Sequence, residues 1–507
     1  MHFWIYGIIV LAFLLSLAAT AGAPDAARPA AELRAGVARV DITNTTAGPV
    51  NDPLFVKALV LKQGSATAVI ITVDAVSIGE IGHIRNDYLA NVRGRLEKEL
   101  NLSPQSVLVN ASHCHGVVRS DVADLTVQAV KAAAATLVPV RAGVGVGRED
   151  RIMENRRLRL KSGREADVRH AYSLAPDDAV AGVGPIDPQI GVLRLDRTDG
   201  RPFAVVYNFA CHPIQGVPGG GNTADIIGFA SKTIEDALGD GTFAVFLQGC
   251  AGDINPILYK DVDHPRDAEP LGTLLGMSAV RAVRQIRTRD GGALKLLREE
   301  MELPRADLAG PIAAQQAEQQ RLVQSLKGTT LNLKSFLGLM MKHGGGGEFP
   351  SYSSHLYLHE KALGRDHLSR LDAENRRNVE AYLQNVQVME ELTRVQTNLS
   401  LLRMHHAQNL AAGKKTLTVE MVGLRVGDFV LVTFPGELTV QIGLNIKKAS
   451  PHRHTFVAGY TNGYIYYAPT AEQLRNRGNA QEDSDCLLAP EWQALYERKT
   501  AELLSRL

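Results

Sequence analysis

Short apolar runs alternate with helical spacing from Glu32 to about Ile286. Ala68–Val73, Val107–Val109, Phe203–Phe209 and Phe243–Leu247 read as buried strands. Between them His83–Leu100, Leu125–Leu137 and Ile226–Leu238 carry helical patterns. This alternation predicts an α/β fold: a mixed or mostly parallel sheet core with flanking helices. Residues 305–410 break the rhythm. The stretch is rich in Gln, Leu, Glu and Arg. Its apolar positions Val379, Leu383, Val386, Met389, Val395, Leu399 and Leu402 recur mostly every three or four residues. That spacing predicts an amphipathic helix, paired with Ile312–Leu326 across a flexible break at Gly344–Gly347. We read 305–410 as a helical insertion that covers a site. Strands resume at Leu417–Val422, Phe429–Phe434 and Thr455–Ala458.

The first residues follow another pattern. Ile5–Leu17 is an apolar run, followed by small residues from Ala18 to Ala23. This predicts a signal peptide over 1–23, cleaved near Ala21 or Ala23. No Lys or Arg precedes the run, so an uncleaved membrane anchor is the alternative. The run is short for a full span, which favours cleavage. The mature protein is then expected to be secreted or periplasmic, with its folded part over 32–507. The whole chain has 507 residues, enough for a large core or two to three domains.

Lys plus Arg number 55 against 54 Asp plus Glu, so no nucleic acid or anionic membrane is favoured as a general partner. The four cysteines (Cys114, Cys211, Cys250 and Cys486) are too few for a disulfide scaffold. Small buried side chains are the preferred reading; a thiolate ligand and a single disulfide are the alternatives.

Candidate chemistry collects where strands end. Ligands in open α/β sheets bind beyond the carboxyl ends of strands. Val107–Val109 runs into Ser112-His113-Cys114-His115. Two imidazoles at this spacing suit a metal ligand and a proton carrier, or a solvated surface pair. Other runs lead into Asp74, His212, Asp253, Glu437 and the tyrosines 460, 464, 466 and 467. Such a set suits a zinc hydrolase, in which three or more N/O ligands leave a position for water. Glu437 also reads as a first-turn carboxylate of a helix over Leu438–Lys448. Asp253 reads as a turn residue, or as a group steadying a ligand histidine.

Several pieces in order make the chain resemble the neutral/alkaline, non-lysosomal ceramidase family, in its N-terminal catalytic domain. They are Ala35 to Thr43, Asn110 to His115, Glu154-Asn155-Arg156, Ile186-Asp187-Pro188 and Asn208 to Pro213. Asp225 to Ala230, Gly252 to Pro256, Phe434 to Glu437 and Asn462 to Tyr467 complete the set. The resemblance implies a zinc amidase with Zn2+ on His113, His212, Glu437 and Tyr467; Tyr464 and Tyr466 are rivals for the last place. It places His115 beside the reacting oxygen and Arg156 on a substrate oxygen. The implied substrate is a ceramide-like N-acyl lipid, and the implied partner a small molecule or lipid met by transient membrane-surface contact. Oligomeric state stays open.

Four departures separate the chain from that family. Gly116-Val117-Val118 replaces a Ser-Gly-Pro-Gly run after His115. Asn255 stands in place of a serine, which leaves metal-activated water as the mechanism. Ile214-Gln215 and a glycine-rich loop (216–221) follow His212-Pro213. The family's C-terminal immunoglobulin-like domain is not expected here. The alternatives are therefore an ester or small-molecule amide as substrate, or a binding protein that has lost catalysis. His355 and His359 stand at i, i+4, but Glu360 follows the second rather than the first, so they are assigned to the surface or a lid. His405-His406 are assigned structural roles. Gly143 to Gly147 lacks the dinucleotide-binding spacing. The Asn-x-Ser/Thr sequons, Asn110 among them, carry no weight, because a glycan there would obstruct a metal.

Overall fold

The computed structural model describes residues 31–507 except 169–173, 176, 217–221, 240, 258, 260–262, 264–265 and 344–353. The 1–23 segment, the Gly344–Gly347 break and most of the loop after His212 lie outside the described residues.

One large sheet has eight strands. In chain order they are β1 (Arg34–Asp41), β2 (Phe55–Gln63), β3 (Ala66–Val73), β4 (Val107–Ala111), β5 (Val138–Arg148), β10 (Gln189–Arg197), β11 (Pro202–Phe209) and β12 (Phe243–Gln248). Their spatial order is β12-β11-β10-β5-β1-β2-β3-β4. The sheet is mixed: only β3/β4 and β11/β12, at its two ends, are parallel. A second sheet orders β14 (Leu294–Pro304), β15 (Thr416–Val426), β16 (Phe429–Thr433) and β18 (Thr455–Ala458). Its β16/β18 pair is parallel too. Short strands β6 (Met153–Asn155) and β13 (Ile254–Pro256) pair with each other, β7 (Arg157–Leu160), β8 (Glu165–Asp167) and β9 (Val180–Val183) form a small three-stranded sheet, and α10 (Gln481–Ser484) is a single turn.

Three walls enclose one core. Leu59, Ile70 and Leu108 from one end of the large sheet meet Leu193, Val206 and Leu247 from the other. Leu424, Leu431 and Phe456 of the second sheet close the third side. Alternate residues of the same strands face outward under helices. Val69 and Ile71 pack with α1 (Tyr88–Leu100) and α2 (Val122–Ala135). Val205 and Tyr207 pack with α3 (Asp225–Leu238) and α4 (Glu269–Gln285). Val430 and Val432 pack with α9 (Val440–Ala449) and α11 (Trp492–Ser505). Strands buried on both faces lose polar alternation, which is why they appear as unbroken apolar runs. At Gly191 a Cβ would stand 2.2 Å from the Phe456 ring, so glycine admits the second sheet against β10.

Two buried asparagines stitch the walls together. Asn110 on β4 donates to the Gly459 carbonyl after β18 (2.8 Å) and accepts from the Gln248 amide ending β12 (2.9 Å). Asn208 on β11 donates to the Leu247 and Val457 carbonyls. Asn110 is fully buried, as is the sequon residue Asn398.

The insertion is helical: α5 (Ala309–Ser325), α6 (Leu333–His343), α7 (Ser354–Ala362) and α8 (His367–Ala411). α8 has 45 residues, about 67 Å at 1.5 Å each. α5 packs along it, as the pairing of Ile312–Leu326 with this helix predicts. Val379, Val395, Leu399 and Leu402 are buried, but Leu383, Val386 and Met389 of the same stripe are exposed. His355 and His359 are exposed on α7, and no helix among the described residues is long and apolar enough to cross a membrane. All four cysteines are buried free thiols.

Candidate metal centre

The three parallel pairs β3/β4, β11/β12 and β16/β18 supply most of the site from their carboxyl ends. The chain leaves β4 and reaches His113 with a left-handed backbone, φ 69°. The His113 amide bonds the Ala75 carbonyl after β3 (2.9 Å). His212 follows β11, and its amide bonds the Ile254 carbonyl (3.1 Å). Glu437 follows β16. It does not open a helix: Glu437-Leu438 (β17) is a short strand parallel to Tyr467-Ala468 (β19). The Glu437 amide is taken by the Tyr466 carbonyl (2.9 Å), so α9 starts three residues later at Val440. The Asp253 carboxylate caps that helix by accepting from the Val440 amide (2.7 Å).

Three acceptor atoms converge. The Nε2 atoms of His113 and His212 lie 3.6 Å and 3.1 Å from Glu437 Oε2. His113 Nδ1 donates to the Val76 carbonyl (2.6 Å), and His212 Nδ1 to the Ile254 carbonyl (3.0 Å). A carbonyl only accepts, so each Nδ1 carries a proton, and in the neutral ring Nε2 presents a lone pair inward. Burial pushes His113 down to about 4, against the opposing pull of Glu437. Burial also works to raise the Glu437 carboxyl. The positive charge of the two imidazoles when they are protonated, together with the Tyr464 hydroxyl, outweighs it and holds Glu437 well below the usual range. The geometry is therefore two lone pairs facing a carboxylate, all buried, with ligand atoms within 4.8 Å of one another. A cation satisfies such a set, and the N,N,O donors suit zinc. The backbone carbonyls on Nδ1 fix the ring orientations, as outer partners of metal-bound histidines do.

Tyrosines flank the cluster. Tyr460 donates to Glu437 Oε2 (3.1 Å), and its ring lies tilted against that of His113, 4.3 Å between centroids. Tyr464 donates to Glu437 Oε1. Tyr467 lies opposite Glu437 in register, and its hydroxyl accepts from Arg156 Nη2 (3.2 Å). Tyr466 turns away to Gln408 and Glu80. Arg156 is buried, paired with Glu482 at 2.7 Å and bonded to Asn255 and the Gly252 carbonyl. His115 is exposed at the cavity edge, its ring 5.6 Å from that of His113. A cavity of about 590 Å³ opens on the cluster, with His115, Arg156, Tyr464 and Tyr467 in its wall. Leu401 and Met404 of α8 complete it, so the insertion roofs the site. His405 is buried and bonds Asp485 (2.7 Å) and Gln408 (2.9 Å), which ties the roof down.

Two residues that end strands fall elsewhere. Asp74 accepts from the Phe55 amide and lines a different cavity. Asp253 caps α9 rather than bonding a ligand histidine; its neighbour Ile254 holds His212 instead. Tyr460 is the residue whose role strand-end position alone did not distinguish.

Fold and site together define a class: an α/β protein with a buried N,N,O centre at strand ends under a helical roof. Comparison with protein-family models and with curated protein sequences gave no match. Solved structures did. The chain is similar to the neutral ceramidase of Pseudomonas aeruginosa, at 17% identity and TM-score 0.57, over 94% of this chain and 75% of that one. It is equally similar to a structure described as ceramidase complexed with C2, at 17% identity and TM-score 0.60, over 94% and 76%. The chain thus has the neutral ceramidase fold.

Proposed function

We propose that the protein is a zinc-dependent hydrolase that cleaves the amide bond of an N-acyl lipid. The observation that carries this reading is the convergence of His113, His212 and Glu437, with both imidazole protons pinned to backbone carbonyls. Tyr467 is the candidate fourth ligand, and Tyr464 orients the carboxylate. Zinc held there supplies water that is nucleophilic at neutral pH and polarises a carbonyl. The chain's own groups do the rest. Arg156, with its charge buried beside Tyr467, favours negative charge developing on the carbonyl oxygen. His115, at the cavity edge, hands a proton to the departing amine. Leu401, Met404, Ile81 and Ile214 give the cavity apolar wall, which suits an acyl chain. The ceramidase structures of like fold support an amide as the bond cleaved.

The test is amine release from a panel of N-acyl substrates, with matched esters, alongside the metal content of purified protein. Release that is lost on chelation, restored by zinc and abolished in His113→Ala supports the reading. Turnover of esters alone changes the bond. Protein that binds no stoichiometric metal removes the enzyme.

A further inference from the structure

We propose that the α6 end of the helical insertion docks the protein on an anionic lipid surface. Large apolar side chains are exposed at 20 positions among the described residues, and 12 of them fall between Val323 and Met389. The insertion therefore concentrates exposed apolar surface that the rest of the molecule buries. Such concentration marks an interaction surface.

On α6 the exposure is ordered. Phe336 is buried, with its ring stacked on Tyr382 at 4.5 Å. Leu333, Leu337 and Met341 stand at i, i+4 and i+8 and are 61%, 53% and 87% exposed. One face of this helix is thus fixed on α8, and another presents an unpartnered aliphatic stripe.

Charge selects the occupant. No Asp or Glu occurs between Glu318 and Glu348, whereas Arg321, Lys327, Lys334 and Lys342 do. Two of these cations are met by acids from outside the stretch: Arg321 by Glu318, and Lys342 by Asp372. Lys327 donates to Gln384, a neutral group. The near-zero net charge of the whole chain hides this local excess. An aliphatic stripe flanked by lysines, on a helix without acids, fits an interfacial helix on anionic lipid. A second copy fits less well. A two-fold contact brings the same patch to itself, so this one would meet its own lysines without a counter-charge. The proposal does not depend on which bond the metal centre cleaves.

The test is vesicle flotation of the purified full chain. Phosphatidylcholine vesicles are compared with vesicles that include phosphatidylglycerol, at low and high salt. The wild type is expected to float with the anionic vesicles, and less so as salt rises. Leu337→Glu/Met341→Glu should lower partitioning at least about tenfold. Lys334→Glu should lower it about fivefold or more. The substituted side chains are exposed, so unfolding temperature should hold in all variants. A wild type that stays off anionic vesicles overturns the proposal. So does a Leu337→Glu/Met341→Glu variant that floats like the wild type. A wild-type dimer that this variant dissociates in sedimentation would instead assign the stripe to a second copy.

Discussion

Gly252→Ala is the sharpest probe of how the centre is held. Gly252 lies in the turn after β12, and its amide bonds the Leu438 carbonyl at 2.9 Å. Its own carbonyl accepts from Arg156 Nη2 (2.5 Å). A Cβ built there would stand 2.6 Å from the Glu437 carbonyl oxygen and 2.9 Å from that of Leu438. Ordinary contact begins at 3.4 Å, so the Glu437 strand must retreat by about 0.8 Å, the difference from 2.6 Å. The obstacles are backbone atoms and cannot rotate away. Gly252 has no left-handed φ, so alanine adds a steric effect without backbone strain.

Overpacking of this kind costs about 1–3 kcal/mol of stability. Displacing an oriented ligand lowers metal affinity about 10- to 100-fold, or about 1.4–2.7 kcal/mol. A shift of this size also costs about 100-fold in turnover where a reaction is catalysed. Denaturant unfolding of metal-free protein reads the first quantity, and chelator competition for zinc reads the second. Gly94→Ala is the control: it sits exposed in α1 with nothing within 4 Å of its Cβ, so it should stabilise by about 0.5–1 kcal/mol. Should Gly252→Ala match wild-type stability and bind zinc within about twofold, the close approach does not set Glu437, and this account of the centre fails.

Three further outcomes follow from the geometry. Tyr464→Phe should weaken zinc binding about 10- to 100-fold, whereas Tyr466→Phe, whose hydroxyl bonds Gln408 and Glu80, should leave it unchanged. Asn110→Ala strands the Gln248 amide in the core, so chemical denaturation should show a loss of about 1–3 kcal/mol from that group alone. Asp225 takes the amides of Gln215, Gly216 and Ile226, yet burial raises it to about 6. The folded state then holds this proton more tightly than the unfolded one. Its contribution to stability is full below pH 3.8 and falls by about 3 kcal/mol as pH rises through 6. Asp225→Asn should flatten that part of the stability–pH profile; an unchanged slope would refute the assignment.

The sequence and the structure agree where buried strands end, because strands covered on both faces leave continuous apolar runs. They differ where pairing is long-range. β5 carries glycines at 143, 145 and 147, which pack against the end of α4 and the residues after it. A Cβ at Gly143 would meet the Arg287 carbonyl at 2.6 Å, and one at Gly147 the Ala282 side chain at 3.1 Å. The glycines admit the end of α4, and their low strand propensity hides β5 from a reading of local pattern. The antiparallel majority of the sheet was invisible for a related reason: helices between strands suggest crossovers, yet β1 and β2 pair across a helix-free loop, and β2 and β3 across a tight turn. Glu437 has helix-start chemistry in its local sequence, but pairing with Tyr467, thirty residues on, decides its conformation. The convergence of His113, His212 and Glu437 was legible by resemblance. The acceptors that fix them were not, because Val76 and Ile254 act through carbonyls that every residue type possesses.

Backbone strain marks the same place independently. Seven non-glycine residues among those described have left-handed φ. Two serve local turns, Asn101 closing α1 and Asp225 opening α3. The other five are Glu80, His113, Tyr460, Asn462 and Tyr466: Glu80, His113 and Tyr466 line the cavity, Tyr460 bonds Glu437 in its wall, and Asn462 pairs with β4 beneath it. Each costs of order 1–2 kcal/mol against an ordinary backbone, except that asparagine tolerates the region better. Glycine would relieve the cost at any of them. At His113 and Tyr460 it would also delete the imidazole and the hydroxyl that meet Glu437. The strain is held by long-range amide bonds: His113 to Ala75, Tyr460 to Gly436 and Asn462 to Val109. Each joins segments that follow or belong to the parallel pairs. A strand that ends at a shared edge must turn sharply to aim a side chain back over its neighbour. The three parallel pairs, the asparagine stitches and the left-handed residues are thus parts of one device that holds side chains inward against their backbone preference.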